Sequence, residues 1–216
     1  MCFSAGASFA AGGVLSAIGI ATVKEVQKPS QRLFAIIPIF FGIQQLTEGC
    51  LWLALQSADH LVVEKISTYI FLITAQIFWP VIIPLSVFLM EDNREKKKIL
   101  KVFFVSGILL SLYYAFYLFF HDVTSQSVDC HILYVTESPE SLALPTFIIY
   151  LILTIVPLFI SGNKRMSVMG ILMALSCLAT AVFYKLYLTS VWCFFAAIIS
   201  ATIYWILRKS KNAKED

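Results

Sequence analysis

Seven apolar segments, each close to the roughly 20 residues that cross a bilayer as a helix, predict an all-α fold. It is a bundle of seven transmembrane helices with its N-terminus outside and its C-terminus in the cytoplasm. Three observations carry this reading: the segments themselves, a composition that soluble packing does not accommodate, and Lys and Arg concentrated in alternate connections, with only Lys65 and Lys185 elsewhere. Of 216 residues, 59% are hydrophobic and only 13% charged, with a mean hydropathy of +0.84. Soluble domains carry about 25% charged residues. A soluble fold of this size has no interior large enough for so much apolar surface, so the solvent for most of it is lipid. In lipid each segment must be helical, because an open strand leaves its backbone groups unpaired.

In chain order the segments are Ala5–Val23, Leu33–Leu55, Ile66–Met90, Ile99–Phe120, Leu142–Ser161, Ser167–Tyr184 and Val191–Leu207. The first is rich in small residues (Ala7, Ser8, Ala10, Ala11, Gly12, Gly13, Ser16, Ala17), which let one helix approach another closely. It follows Met1-Cys2-Phe3-Ser4-Ala5, which has neither a positive n-region nor a small-residue cleavage site, so this helix is expected to stay in the mature protein. Pro80, Pro84 and Pro157 fall inside segments, where each removes an N–H and predicts a kink.

Orientation follows from the basic residues in short connections. Lys24, Lys28 and Arg32 lie in the 24–32 connection; Arg94, Lys96, Lys97, Lys98 and Lys101 in 91–101; Lys164 and Arg165 in 162–166; Arg208, Lys209, Lys211 and Lys214 in the tail. These are 14 of the 16 Lys and Arg residues, and all face the cytoplasm if the N-terminus is outside. The 121–141 connection is the long outer loop; it holds Asp122, Asp129, Glu137 and Glu140, no basic residue, and a short strand expected at His131–Thr136. No repeat or low-complexity tract interrupts the chain, which reads as one domain spanning 1–216. The net charge of +3 gives no reason to expect a nucleic-acid partner; the expected partner is the lipid bilayer, with a small molecule or ion inside the bundle. The oligomeric state is not written in these features.

Charge inside a span is costly, so an intramembrane carboxylate is a functional candidate by default. Glu48 is the acidic residue well inside a segment, within Gln44-Gln45-x-x-Glu48-Gly49-x-x-Trp52. Helical spacing puts Gln44, Gln45 and Glu48 on one face, with Trp52 one turn further out. Gln76 and Trp79 come from the third segment at similar depth. These residues predict a polar pocket in the outer half of the bundle, or alternatively a hydrogen-bonded clamp between helices. Lys185 is the natural charge partner for Glu48, or else an interfacial lysine that snorkels to water. A carboxylate there survives either protonated or ionised against a cation and donors.

His60, His121 and His131 fall on the outer side, as do Cys2, Cys130 and Cys193, with Cys50 near the same end and Cys177 deep in the membrane. Imidazole and thiolate bind metals and haem iron, which makes Cys2, Cys193, Cys130 and His131 candidate ligands. Their spacings match no metal signature, and an oxidising outer compartment makes a disulfide the competing use of the same cysteines. Cys193 is expected at the outer mouth of the seventh helix, close to Cys2. Loss of Met1 would give Cys2 a free amine beside its thiol.

Met1-Cys2-Phe3-Ser4-Ala5, the Gln44–Trp52 motif, Phe78-Trp79-Pro80, His131-x-x-Tyr134 and Ser190-Val191-Trp192-Cys193-Phe194-Phe195-Ala196-Ala197 together resemble an uncharacterised family of bacterial integral membrane proteins. That family opens with Met-Cys-Phe-Ser-Ala and is classed as a domain of unknown function. The resemblance runs nearly end to end. It implies a small multi-span protein of a bacterial cytoplasmic membrane and no particular activity. The motifs at Cys2, Glu48–Trp52, His131–Tyr134 and Trp192–Cys193 all map to the outer half on this topology. Seven-span ceramidase-like hydrolases need intramembrane histidines for zinc, which this sequence lacks, and no phosphate-binding Gly-rich loop is present.

The sequence therefore predicts a binding protein, a receptor or carrier for a small ligand or ion. Glu48 is its charged anchor, Gln44, Gln45, Gln76, His131, Tyr134 and Lys185 are its polar neighbours, and Trp52, Trp79 and Trp192 are its walls. The alternatives are a membrane-embedded enzyme using Glu48 with His131 or Cys2 as partner, and a structural or assembly subunit.

Overall fold

The computed structural model describes residues 4–56, 58–128, 131–184 and 187–215. Among the described residues seven helices are long and apolar enough to cross a membrane: α1 (Ala5–Lys24), α2 (Pro29–Ala54), α3 (Leu61–Met90), α4 (Arg94–Phe120), α5 (Glu140–Ile160), α6 (Lys164–Phe183) and α7 (Leu188–Arg208). The shortest have 20 residues, or about 30 Å at 1.5 Å per residue, the thickness of the hydrocarbon layer. The chain has the all-α architecture expected, and the exposed Leu, Ile, Val and Phe side chains of these helices suit contact with lipid. Between α4 and α5 a two-stranded antiparallel hairpin forms from β1 (Val123–Val128) and β2 (His131–Thr136), with Ser125 opposite Tyr134.

Helix boundaries have local causes. Asn93 caps α4, its side chain accepting from the backbone N–H of Glu95 at 2.9 Å and of Lys96 at 3.1 Å. The helix therefore begins at Arg94 rather than at the expected Ile99: hydropathy marks where lipid begins, whereas capping marks where the helix begins. For the same reason α6 starts at Lys164, behind the Asn163 cap, rather than at Ser167. The α7 helix has a turn at Ala201 and continues to Glu215.

The prolines of α3 reshape it more than a simple kink would. Pro80 has no N–H for the carbonyl of Gln76, and the six residues Ile73–Phe78 before it wind as a π-helix. Neighbouring helices take the carbonyls this exposes: Tyr150 Oη donates to Ala75 O at 2.7 Å, and Ser111 Oγ donates to Ile77 O at 2.7 Å. Pro84 likewise frees the carbonyl of Pro80, and Gly107 of α4 lies directly against that oxygen. A Cβ at 107 would fall far inside van der Waals contact with it, so glycine is what lets α3 and α4 meet here.

On α1 and α2, Gly12 and Gly42 face each other, and a Cβ on Gly42 would fall 2.6 Å from Ser16 Oγ and 3.0 Å from Gly12 O. This is the close small-residue packing expected of the first segment.

The two ends of the bundle differ. At the basic end, the buried Glu91 carboxylate accepts from Asn93 N at 2.9 Å and Gly162 N at 3.1 Å, tying the α3–α4 turn to the α5–α6 turn. At the other end the hairpin sits on the bundle. Ile132 packs against Leu51 and Trp52, Tyr134 packs against Phe71, Leu72 and Cys193, and Thr68 and Ser125 share a 2.8 Å hydrogen bond.

Candidate functional site

Several of the residues expected to form a polar site lie close together beneath the hairpin. Gln44, Gln45 and Glu48 point from α2 into the bundle with 0%, 0% and 3% exposure. Ser190 of α7 donates to Glu48 Oε1 at 2.5 Å, and Gln45 Nε2 donates to Oε2 at 3.4 Å. Across the interior, Trp79 Nε1 of α3 donates to Gln44 Oε1 at 3.0 Å, and the Trp79 ring stacks on Phe41 at 4.0 Å. Three helices are thus joined by two polar bonds at one level.

The surrounding groups are not fully satisfied. Gln45 Oε1, Tyr134 Oη and Trp192 Nε1 are buried with no hydrogen-bond partner among the described residues, and the Gln44 amide faces the Cys193 thiol. Native interiors rarely leave such atoms unpaired, and each deserves a physical account. One is an N–H donor, one a carbonyl acceptor and one a hydroxyl, so a guest or water with both donor and acceptor capacity suits them. Burial pushes the Tyr134 phenol well above its ordinary pKa, and the neighbouring Glu48 carboxylate and Cys193 thiol push it the same way. Tyr134 therefore keeps its proton at neutral pH and can donate as well as accept.

His131 lies at the edge of this cluster, 9% exposed, stacked on Tyr187 at 4.7 Å and tilted against Tyr184 at 5.2 Å. Trp52 packs with Leu51 and Ile132 under the hairpin, one turn beyond Glu48. Gln76, expected to orient a ligand at Glu48, instead lines a cavity with Tyr150, Trp192 and Cys193. A second cavity shares Tyr150, Trp192 and Cys193 and runs past Trp79 toward Met169 and Met173. The cavity therefore lies on the Trp192–Cys193 side of the cluster, rather than directly against the carboxylate as expected. The reason is Ser190, whose hydroxyl fills the space beside Glu48 Oε1.

Cys193 is also deeper than expected. It is a free thiol, 4% exposed, packed with Phe71, Leu72 and Leu118 rather than standing at the helix mouth. Its predicted neighbour Cys2, and likewise Cys130 and Lys185, lie outside the described residues. Among the described residues no group of three or more His, Cys, Asp or Glu converges as a metal site. No basic side chain among them pairs with Glu48 either; the ion pairs join Lys28 with Asp92 and Lys98 with Glu95.

With the interior described from α2, α3, α7 and the hairpin, the family follows from its profile, which matches residues 1–216. The chain belongs to the DUF6629 family, a family of unknown function. The match spans all the segments that build the cluster, from Gln44 to Cys193. Comparison with curated proteins and with solved structures gave no significant match.

Sequence reasoning missed two contributors. Ser190 is the closest partner of Glu48; it opens the Ser190–Ala197 motif, one helical turn before Cys193, but nothing in the sequence aimed it at Glu48. Tyr150 anchors the π-helical turn and walls both cavities. A tyrosine in an apolar run gives no sign of which carbonyl it will meet.

Proposed function

We propose that this membrane protein binds a small polar ligand or ion in its interior, as a receptor or carrier, with Glu48 as the charged anchor. The observation that carries the proposal is the 3%-exposed Glu48 carboxylate, joined to α7 through Ser190 and surrounded by buried polar atoms that the protein itself leaves unpaired. A purely structural clamp has no use for orphaned groups, each of which costs on the order of 1–3 kcal/mol when left without a partner. We further propose that the hairpin end faces outward from a bacterial cytoplasmic membrane, since the opposite end carries the basic connections. An enzyme using Glu48 with His131 draws less support, because Ser190 holds the carboxylate while His131 stacks on tyrosines.

The test is ligand-dependent stability. A ligand at about 100 times its Kd stabilises the folded state by about 2.7 kcal/mol. Unfolding of the purified protein across a panel of inorganic and small organic ions should show such a shift for at least one member. Glu48→Gln should fold and lose the shift. A panel without effect on the wild type, or a Glu48→Leu variant that gains stability and keeps the full shift, overturns the proposal.

A further inference from the structure

Beside the Glu48 cluster, four aromatic rings from α4, α5 and α7 meet edge to face. Tyr114 and Tyr150 lie at 71° with centroids 6.5 Å apart, Tyr150 and Trp192 at 75° and 5.6 Å, and Phe147 and Trp192 at 84° and 6.4 Å. Successive near-perpendicular contacts bend the row of rings into an open box instead of a stack. All four rings line one cavity of about 60 Å³, completed by Gln76 and Cys193 among others. One water needs roughly 10–15 Å³, so the cavity has room for a group larger than water.

The box is held in shape. Tyr150 is fixed by its bond to Ala75 O at 2.7 Å, and Trp192 is only 4% exposed. Aromatic faces carry the negative lobe of the ring quadrupole, so a cavity walled by several rings attracts a cation that has few hydrogen-bonding demands of its own. Counter-charge is close at hand. Ser190 and Cys193 are three residues apart and share a face of α7, so the carboxylate held by Ser190 stands about one turn from the Cys193 wall. The donors on Glu48 are neutral, Ser190 and Gln45.

We infer that this aromatic box receives the alkylated ammonium group of an organic monocation, with Glu48 as its counter-charge. The inference rests on reading the Glu48 cluster as a ligand site and names the class of that ligand.

The experiment titrates the full-length protein in nanodiscs with choline chloride, following tryptophan emission. Controls are sodium chloride and 3,3-dimethylbutan-1-ol, the uncharged isostere of choline. A saturable response to choline alone is expected. Glu48→Gln should abolish or strongly weaken it. Tyr114→Leu, at the half-buried edge of the box, should weaken it between about 2- and 30-fold, the range for loss of one cation–π wall. Circular dichroism of both variants confirms that the helices form. Equal binding of the isostere overturns the inference, because the box is then merely apolar. A Glu48-dependent response to sodium without one to choline also overturns it, while leaving the ion-binding proposal standing. Absence of any Glu48-dependent response overturns the inference, while the ion-binding proposal is decided by the wider panel of ions.

Discussion

Removing the Ser190 hydroxyl isolates the contact on which the interior cluster depends. The bond to Glu48 Oε1 is 2.5 Å long, and the two residues are 5% and 3% exposed, so water cannot replace the lost donor freely. Hydrogen bonds between helices in membranes average only about 0.6 kcal/mol, with the largest near 1.7. Bonds to charged groups in proteins reach about 1.5–3 kcal/mol. Short length and double burial place this one at the upper end of the membrane range. Ser190→Ala is expected to cost about 1.5–2 kcal/mol, a roughly tenfold to thirtyfold change in the folding equilibrium. The same substitution in a Glu48→Leu background should cost less than about 0.5 kcal/mol, because its partner is gone. Equilibrium unfolding in mixed micelles, followed by circular dichroism, measures all four corners of the cycle. A cost for Ser190→Ala that is equal in both backgrounds would refute the argument that Ser190 acts through Glu48.

Two further outcomes follow from the packing and the charge distribution. Gly107→Ala should destabilise by about 1–3 kcal/mol as an overpacked contact, although alanine is the better helix former by about 1 kcal/mol, because its Cβ meets the Pro80 carbonyl; Gly13→Ala, with nothing within 4 Å of the added Cβ, should be neutral or stabilising in the same unfolding assay. In intact cells with Cys2, Cys50 and Cys130 replaced by Ser, a membrane-impermeant maleimide should label Glu137→Cys after the hairpin and spare Asp92→Cys at the basic end; the opposite pattern would reverse the proposed orientation.

Much of the fold was legible because lipid imposes one strong rule. A run such as Leu142–Ser161 has few alternatives to a helix, and α5 differs from it only by two residues at its start and one at its end. Where capping decides, hydropathy was silent: Asn93 starts α4 five residues before the apolar run begins. The strand at His131–Thr136 was readable from its β-branched and aromatic residues, but its partner Val123–Val128 holds Thr, Ser and Gln and carries little such signal. For the site, helical spacing placed Gln44, Gln45 and Glu48 on one face. Spacing cannot rotate one helix against another. The Ser190 contact, the Trp79–Gln44 bond and the displacement of the cavity toward Cys193 are tertiary facts of that kind. The π-helical turn before Pro80 depends on Tyr150 and Ser111 arriving from other helices to take its carbonyls.

The central claim is that Glu48 anchors a guest inside the bundle, and native mass spectrometry of protein released gently from nanodiscs addresses it most directly. The wild type should carry a small non-covalent adduct beyond the mass of the chain and its lipids, and Glu48→Gln, prepared in parallel, should lack it. A wild type that flies bare, or an adduct retained at the same level in Glu48→Gln, would contradict the claim.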